Sequence, residues 1–430
     1  MKQRTVIAGL DERGRGIGTD LFIPFAYPGD EVEAEQLHRH KKTGKIIEII
    51  SPSPDRQAAP CKYFGACGGC PWQGLKYEAQ LKHKENKVRA LFGECAPILP
   101  SPETFFYRNR MDFAFGPNFT LGLKDARDNI INVEKCWLMS EKSNALLNRL
   151  RYFTSFKKLK SYKYALPDKT RGPMRHVVIR EGKNIENTVL NILTSDKEAF
   201  PLDELWEKIQ DLVQGATWSI NLSPADRSYG EIQKSLGQDH LMESLSGIRF
   251  KIPIQSFFQT NTHQAEKLLS IIKDFAGPDG TETLLDLYSG TGSIGLSLAN
   301  QAKEVIGVEE NQAAVNLSKT NAALNGIKNF SAIAGRVEDS IKSLEGKFET
   351  IILDPPRPGV HKKVLHKIGE IKPAKIVYVS CNPMTQKHDT EILKEFGYKI
   401  EKCQPLDMFP HTPHIENVIL LGFPQKGARS

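Results

Sequence analysis

From Ile248 onward, short apolar runs rich in Val, Ile and Leu alternate with longer amphipathic stretches. The apolar runs predict strands buried on both faces at Thr283–Asp286, Glu304–Val308, Thr350–Leu353, Lys375–Ser380 and Asn417–Phe423. The stretches between them predict helices over Gly292–Gln301, Asn311–Asn325 and Thr385–Phe396. Such strand–helix alternation builds a parallel, doubly wound α/β sheet.

The start of the chain has a different rhythm. Thr5–Leu10 and Ile23–Phe25 are apolar, Pro28-Gly29-Asp30 is a turn signal, and alternation returns in Val32–Ala34. Arg39–Lys45 reads as a basic loop before a last strand, Ile46–Ile50. Short strands packed into so little chain suit a small β-barrel of a kind that binds nucleic acid. Nine basic and nine acidic residues up to Pro60 cancel, so a purely structural barrel is the alternative. Ser51-Pro52-Ser53-Pro54 marks a linker. Between barrel and sheet lies a unit that opens on a cysteine cluster, continues through a predicted helix, Tyr77–Phe92, and becomes strand-rich. The expected organisation is a multidomain α/β protein: a small barrel over 1–55, an α+β unit over 56–246, and a Rossmann-like doubly wound domain over 247–430.

Composition narrows the class. In 430 residues, 40% hydrophobic and 25% charged are the proportions of a folded globular protein, which excludes disordered and fibrous classes. No apolar run approaches the roughly 18 residues that span a bilayer, and the first residues lack a signal-peptide core. A cytoplasmic protein with no membrane partner is expected. The net charge of +7 hints only mildly at a polyanion. Its distribution says more: Arg149 to Arg180 holds ten Lys or Arg and one acid, Asp168, interleaved with Tyr152, Phe153, Phe156, Tyr162 and Tyr164. Cations neutralise phosphates and aromatics offer faces to unstacked bases, so this segment is the expected RNA contact.

Chemistry concentrates at the predicted strand ends. Asp286-Leu-Tyr-Ser-Gly-Thr-Gly-Ser-Ile-Gly295 places three glycines where strand turns into helix. Glycines there let backbone approach a nucleotide-like ligand and pack the helix onto the sheet. A dinucleotide site would share this pattern. Asp286 before the glycines, Gly307-Val-Glu309 at the next strand end and Asp354-Pro-Pro at a later one favour S-adenosylmethionine (SAM). Amino-group methyltransferases carry an aromatic residue after Asp-Pro-Pro, where this chain has Arg357. The following strand delivers Cys381, in Ser380-Cys-Asn-Pro383, to the carboxyl-end rim where such sheets bind ligands. A small buried hydrophobe is the plainer reading of a cysteine, but this placement suits a nucleophile. Pyrimidine C5 needs one: thiolate addition at C6 makes C5 nucleophilic, and a base must then remove the C5 proton. Glu416, closing Met408-Phe-Pro-His-Thr-Pro-His-Ile-Glu416, is the carboxylate available.

These motifs together, DPPRPG, SCNP and MFPHTPHIE, resemble the RNA 5-methyluridine methyltransferases, specifically the iron–sulfur-containing branch known for 23S ribosomal RNA. The resemblance covers nearly the whole chain. It implies a TRAM RNA-binding domain at the N-terminus, Cys381 as nucleophile and Glu416 as base. It implies SAM contacts from Gln259, Tyr288, Glu309 and Asp354, with Ser293 where many relatives carry Asn and Arg336 where an Asn often stands. By spacing alone, Cys61, Cys67, Cys70 and Cys136 suit a four-thiolate zinc site as well as an iron–sulfur cluster. The resemblance favours [4Fe-4S], in a structural role. The expected activity is SAM-dependent methylation of C5 of a uridine in 23S rRNA by a monomer. The same chemistry on the T-loop uridine of tRNA is the alternative. A cytosine-C5 enzyme is disfavoured because Asp354–Gly359 holds no cysteine. A non-catalytic iron–sulfur RNA-binding protein is disfavoured because Cys381 and Glu416 are both present.

Overall fold

Period-2 patterning at the N-terminus does become a sheet. The computed structural model describes residues 2–38, 41–162, 172–196, 200–344 and 347–424. Its first sheet has six strands, ordered Lys2–Val6, Glu31–His38, Lys41–Ser51, Phe22–Ile23, Gly16–Ile17 and Gly9–Leu10. Ile7, Leu21, Ile23, Val32 and Ala34 fill its small core. The basic loop expected at Arg39–Lys45 is instead largely strand from Lys41 on; residues 39 and 40 lie outside the described residues. An acidic strand faces a basic one there, with Glu35 opposite Lys45, so backbone pairing gains from the charges rather than being broken by them.

The second sheet has seven strands, ordered Glu231–Gly237, Gly215–Ile220, Thr188–Thr194, Met174–Glu181, Arg110–Phe115, Leu121–Lys124 and Ile130–Asn132. Every residue of Met174–Glu181 and Thr188–Thr194 is buried. Helices Glu141–Phe156 and Leu202–Ile209 supply Leu146, Leu150, Leu202 and Leu205 to its core. The hairpin His240–Leu245/Ile248–Pro253 crosses position 246/247, and its Leu241, Phe250 and Ile252 pack in the core of the C-terminal sheet. The predicted helix Tyr77–Phe92 forms over those residues, yet its Val88 also packs under the C-terminal sheet.

The third sheet is ordered Phe330–Ala334, Glu304–Glu309, Thr283–Leu287, Thr350–Leu353, Lys375–Ser380, Glu416–Gly422 and Lys399–Leu406. The first five strands pair in parallel, and Glu416–Gly422 pairs antiparallel with both of its neighbours. Phe330–Ala334 and Lys399–Leu406 were not among the expected strands, because polar residues at the sheet edges dilute their apolar runs. Among the described residues, no helix is long and apolar enough to cross a membrane.

Candidate active site

Strand order reverses between Thr283–Leu287 and Thr350–Leu353, and a crevice at such a switch point is where open α/β sheets take ligands. The glycine loop leaves Thr283–Leu287 through Tyr288, Gly290 and Gly292, all at positive φ, and the Ser293–Ala299 helix begins at once. Gly295 is obligatory by contact: a Cβ would stand 2.9 Å from Asp286 Oδ2, which accepts the Gly295 amide at 2.9 Å. Glu309 holds the same loop, accepting from the Gly290 amide at 3.0 Å and the Asn311 amide at 2.8 Å. Burial, reinforced by the nearby Asp354 charge, pushes the Asp286 carboxyl up to about 8. Asp286 Oδ1, Ser289 Oγ and the Tyr288 hydroxyl are buried without a partner among the described residues. Unpaired polar atoms beside a glycine loop fit a hydrogen-bonding ligand such as SAM. Gln259, another expected SAM contact, lies on the Phe257–Asn261 segment, which Asn109 fixes by donating to the Gln259 carbonyl at 2.7 Å.

Register brings the two proposed reactive side chains together. Ser380 stands opposite Asn417 across the antiparallel pair, so Cys381, one residue past the strand end, falls beside Glu416. Asn382 caps the Pro383–Glu395 helix, accepting from the Met384 amide at 3.2 Å, and its side chain donates to the Arg357 carbonyl at 3.2 Å. This ties the Cys381 and Asp354–Gly359 loops into one rim. Desolvation raises the Cys381 thiol; the Glu416 charge raises it further and the Arg357 guanidinium opposes both. Glu416 is 4% exposed, and burial, then the Asp354 charge, holds its carboxyl well above the usual range. Burial likewise pushes Asp354 up to about 7. His414, within 3.2 Å of Arg357, is pushed down to about 4 by burial and is neutral near pH 7. The rim thus gathers acids whose pKa values burial raises, beside the Arg357 guanidinium.

A polar clamp holds the loop that leads to Glu416. Lys84 and Asp407, both fully buried, pair at 2.6 Å, and Lys84 also donates to the Phe409 carbonyl at 3.2 Å. Gln80 and His411 join twice: the His411 amide donates to Gln80 Oε1 at 2.9 Å, and Gln80 Nε2 lies 3.2 Å from His411 Nδ1. The Trp72 amide donates to the His411 carbonyl at 3.0 Å. Sequence reasoning missed these residues. The available signal was polar Gln80 and Lys84 on the same helical stripe as apolar Val88.

Cys61, Cys67, Cys70 and Cys136 all line one cleft of about 700 Å³, along with Tyr63 and Arg108. Burial pushes the thiols of Cys70 up to about 12 and Cys136 up to about 11. Among the described residues, no group of three or more His, Cys, Asp or Glu is close enough to hold a single metal ion. The four cysteines therefore share a cleft without a preformed metal site among the described residues, whether for zinc or for the expected cluster. Cys403 is elsewhere, donating to Asn417 Oδ1 at 3.6 Å.

In the expected RNA segment, Lys157 pairs with Glu204 and Arg149 with Asp211, so part of its positive charge is neutralised within the fold. Tyr152 and Phe156 stay 73% and 70% exposed, with rings 6.2 Å apart and nearly parallel at 17°. Residues 163–171, including Tyr164 and Asp168, lie outside the described residues.

A family model described as tRNA (Uracil-5-)-methyltransferase matches residues 197–423. The chain belongs to this family. Its relatives in the uracil-5-methyltransferase family extend over nearly the whole chain. An uncharacterized RNA methyltransferase of Nanoarchaeum equitans is 41% identical across 98% of this chain and 93% of its own length. The tRNA (uracil(54)-C(5))-methyltransferase of Pyrococcus furiosus is 37% identical across 96% of this chain and 98% of its own. The crystal structure of the Pyrococcus abyssi tRNA (uracil-54, C5)-methyltransferase with S-adenosyl-L-homocysteine superposes with a TM-score of 0.85 at 32% identity, covering 97% of this chain and 100% of that one. SAM-dependent methylation of uracil C5 in RNA is thus the activity of the family and of this chain. The expected restriction to 23S rRNA finds no support in these relatives: where their names give a substrate, it is tRNA.

Proposed function

We propose that this protein methylates C5 of the T-loop uridine of tRNA, with Cys381 as nucleophile and Glu416 as base. The observation that carries the chemistry is the register across Lys375–Ser380 and Glu416–Gly422, which sets thiol and carboxyl side by side on the ligand rim. Similarity over nearly the full length to tRNA uracil-54 enzymes favours tRNA over rRNA.

The residues act in sequence. Arg357, the one charge opposing the rise in the thiol's pKa, stabilises the Cys381 thiolate as it bonds to uridine C6. The electron pair moves to C5, which takes the methyl group that SAM supplies as an activated sulfonium methyl. Glu416, ionised at this stage, accepts the C5 proton, the C6–S bond breaks, and Cys381 leaves with its electron pair. Glu416 suits this role because its raised pKa makes it a stronger base than an exposed carboxylate. Gln259, Tyr288, Ser293, Glu309 and Asp354 are read as the SAM contacts, with the Asp286-braced glycine loop beside them. The test is to incubate the purified protein and SAM with unmodified tRNA and 23S rRNA, separately, and quantify 5-methyluridine. Methylation confined to the tRNA T-loop is expected; methylation of rRNA alone would overturn the assignment.

The reading of Cys61, Cys67, Cys70 and Cys136 as ligands of a [4Fe-4S] cluster is supported by the resemblance to the iron–sulfur branch and by their sharing one cleft. Cys61, Cys67, Cys70 and Cys136 would hold it, joining the strand-rich unit to the loop before the Tyr77–Phe92 helix. Anaerobically purified protein should be brown, with about four irons per chain and no zinc. Colourless, iron-free protein prepared that way would remove the cluster from the account. The N-terminal sheet is read as a TRAM-type RNA-binding module, and Tyr152 with Phe156 as a base-stacking platform.

A further inference from the structure

The cavity in front of Cys381, about 470 Å³, is walled by three parts of the chain far apart in sequence. The C-terminal domain contributes Cys381, Arg357 and His414. The Tyr77–Phe92 helix contributes Lys87, and the N-terminal sheet reaches in with Glu12 and Arg13. Those two residues sit on the Asp11–Arg15 turn, which is braced from within. Asp11 Oδ1 accepts the amides of Arg13 at 3.0 Å and Arg15 at 2.8 Å, and Asp11 Oδ2 pairs with the Arg15 guanidinium at 2.6 Å. The turn is also seated against the catalytic loop. Trp72 Nε1 donates to the Gly14 carbonyl at 2.9 Å, and Gly14, at φ +77°, has no room for a Cβ, which would meet Trp72 at 2.6 Å and Pro413 at 3.1 Å. A turn held this closely carries Arg13 to the cavity as a fixed element.

Neither Arg13 nor Lys87 has a side-chain hydrogen bond or ion pair among the described residues, unlike Arg15 beside the first and Lys84 beside the second. Arg357 is the third cation of the lining and Glu12 its one carboxylate. Cations left without partners around a nucleophile that attacks a neutral base are not required by the chemistry at C6. They suit the anionic groups that flank that base in a polynucleotide, the phosphodiesters on either side of its ribose.

We propose that Arg13 and Lys87 bind the phosphates flanking the target uridine, so that the N-terminal sheet is part of the catalytic cavity and positions the extruded nucleotide over Cys381. This rests on the reading of the protein as an RNA uracil-C5 methyltransferase. An enzyme that reaches a base in structured RNA must take it out of its stack, and holding the backbone on both sides keeps it out. Arg13 and Lys87 are positioning residues; neither touches the reacting atoms.

The experiment measures tRNA-transcript binding by Arg13→Ala and Lys87→Ala from low to high salt, and methylation kinetics with the same RNA. Each variant should lower the slope of log K against log salt by about 0.7–0.9, and the double variant by about twice that. KM for RNA should rise roughly tenfold per variant, the size of one charge-assisted contact, while kcat at saturating RNA changes little. Arg13→Lys and Lys87→Arg should restore the slope, which a misfolded protein would not do. Unchanged slopes in both alanine variants, or a fall in kcat with KM unaltered, overturn the proposal. Wild-type protein that forms no 5-methyluridine in any RNA overturns the underlying reading instead, because binding slopes are read without turnover.

Discussion

Cys381→Ala is expected to abolish methylation, by on the order of 10⁴-fold or more, and to form no covalent complex with RNA. The thiol acts first, so nothing downstream proceeds without it. Glu416→Gln should behave differently because the carboxylate is needed only after methyl transfer. That variant should still add to C6 and transfer one methyl, but turn over about 10²–10⁴-fold more slowly. With RNA and SAM it should accumulate a methylated protein–RNA adduct that survives denaturing electrophoresis, and the double variant should show none. An adduct formed without Cys381, or normal turnover by Glu416→Gln, would exchange or remove these roles. The pKa shifts supply a control for folding. The folded-state pKa of Glu416 lies above its unfolded value, so its protonated form favours the fold, and that contribution is lost as pH rises through the folded-state pKa. Glutamine cannot ionise, so Glu416→Gln should melt no lower than wild type at pH 8 while failing to turn over. Desolvation also raises the Cys381 thiol, and thiolate is the reactive form, so wild-type activity should climb with pH from the neutral into the alkaline range.

Lys84→Met should cost about 3–5 kcal/mol of stability, because it leaves the fully buried Asp407 carboxylate without its cation. Burial lowers the Lys84 pKa and the Asp407 charge supports it, so each charge in this pair depends on the other. Lys84→Met/Asp407→Leu should recover most of the loss in urea unfolding, since an apolar pair replaces a balanced ionic one at little net cost. Activity should not recover with it. Asp407 starts the loop that ends at Glu416 and caps Phe409 by accepting its amide at 3.1 Å, so an apolar substitute restores packing without that orientation. A double variant as unstable as the single one would show that the pair contributes through packing volume rather than charge.

Local pattern determined a good deal of this protein. The buried strands of the C-terminal sheet are legible because burial on both faces demands continuous apolar runs, and the helix at Tyr77–Phe92 forms over the expected residues. The glycine loop is legible because Asp286 Oδ2 occupies the space a Cβ at position 295 would need. Cys381 and Glu416 stand out as residue types at strand ends, but their adjacency is not local: 35 positions separate them, and antiparallel pairing of Glu416–Gly422 makes them neighbours. The edge strands Phe330–Ala334 and Lys399–Leu406 escaped the pattern because an edge needs less apolar surface. The Lys84–Asp407 pair was invisible because a charged residue in a helix is normally solvated, and only packing against a distant loop excludes water from it. The same holds for the cavity wall. Arg13 is an ordinary turn arginine by sequence, and it lines the catalytic cavity only because Gly14 lets the turn approach Trp72 and Pro413. Short-range periodicity reports which face of an element avoids water; which elements meet is decided by long-range packing, and the reactive geometry depends on that meeting.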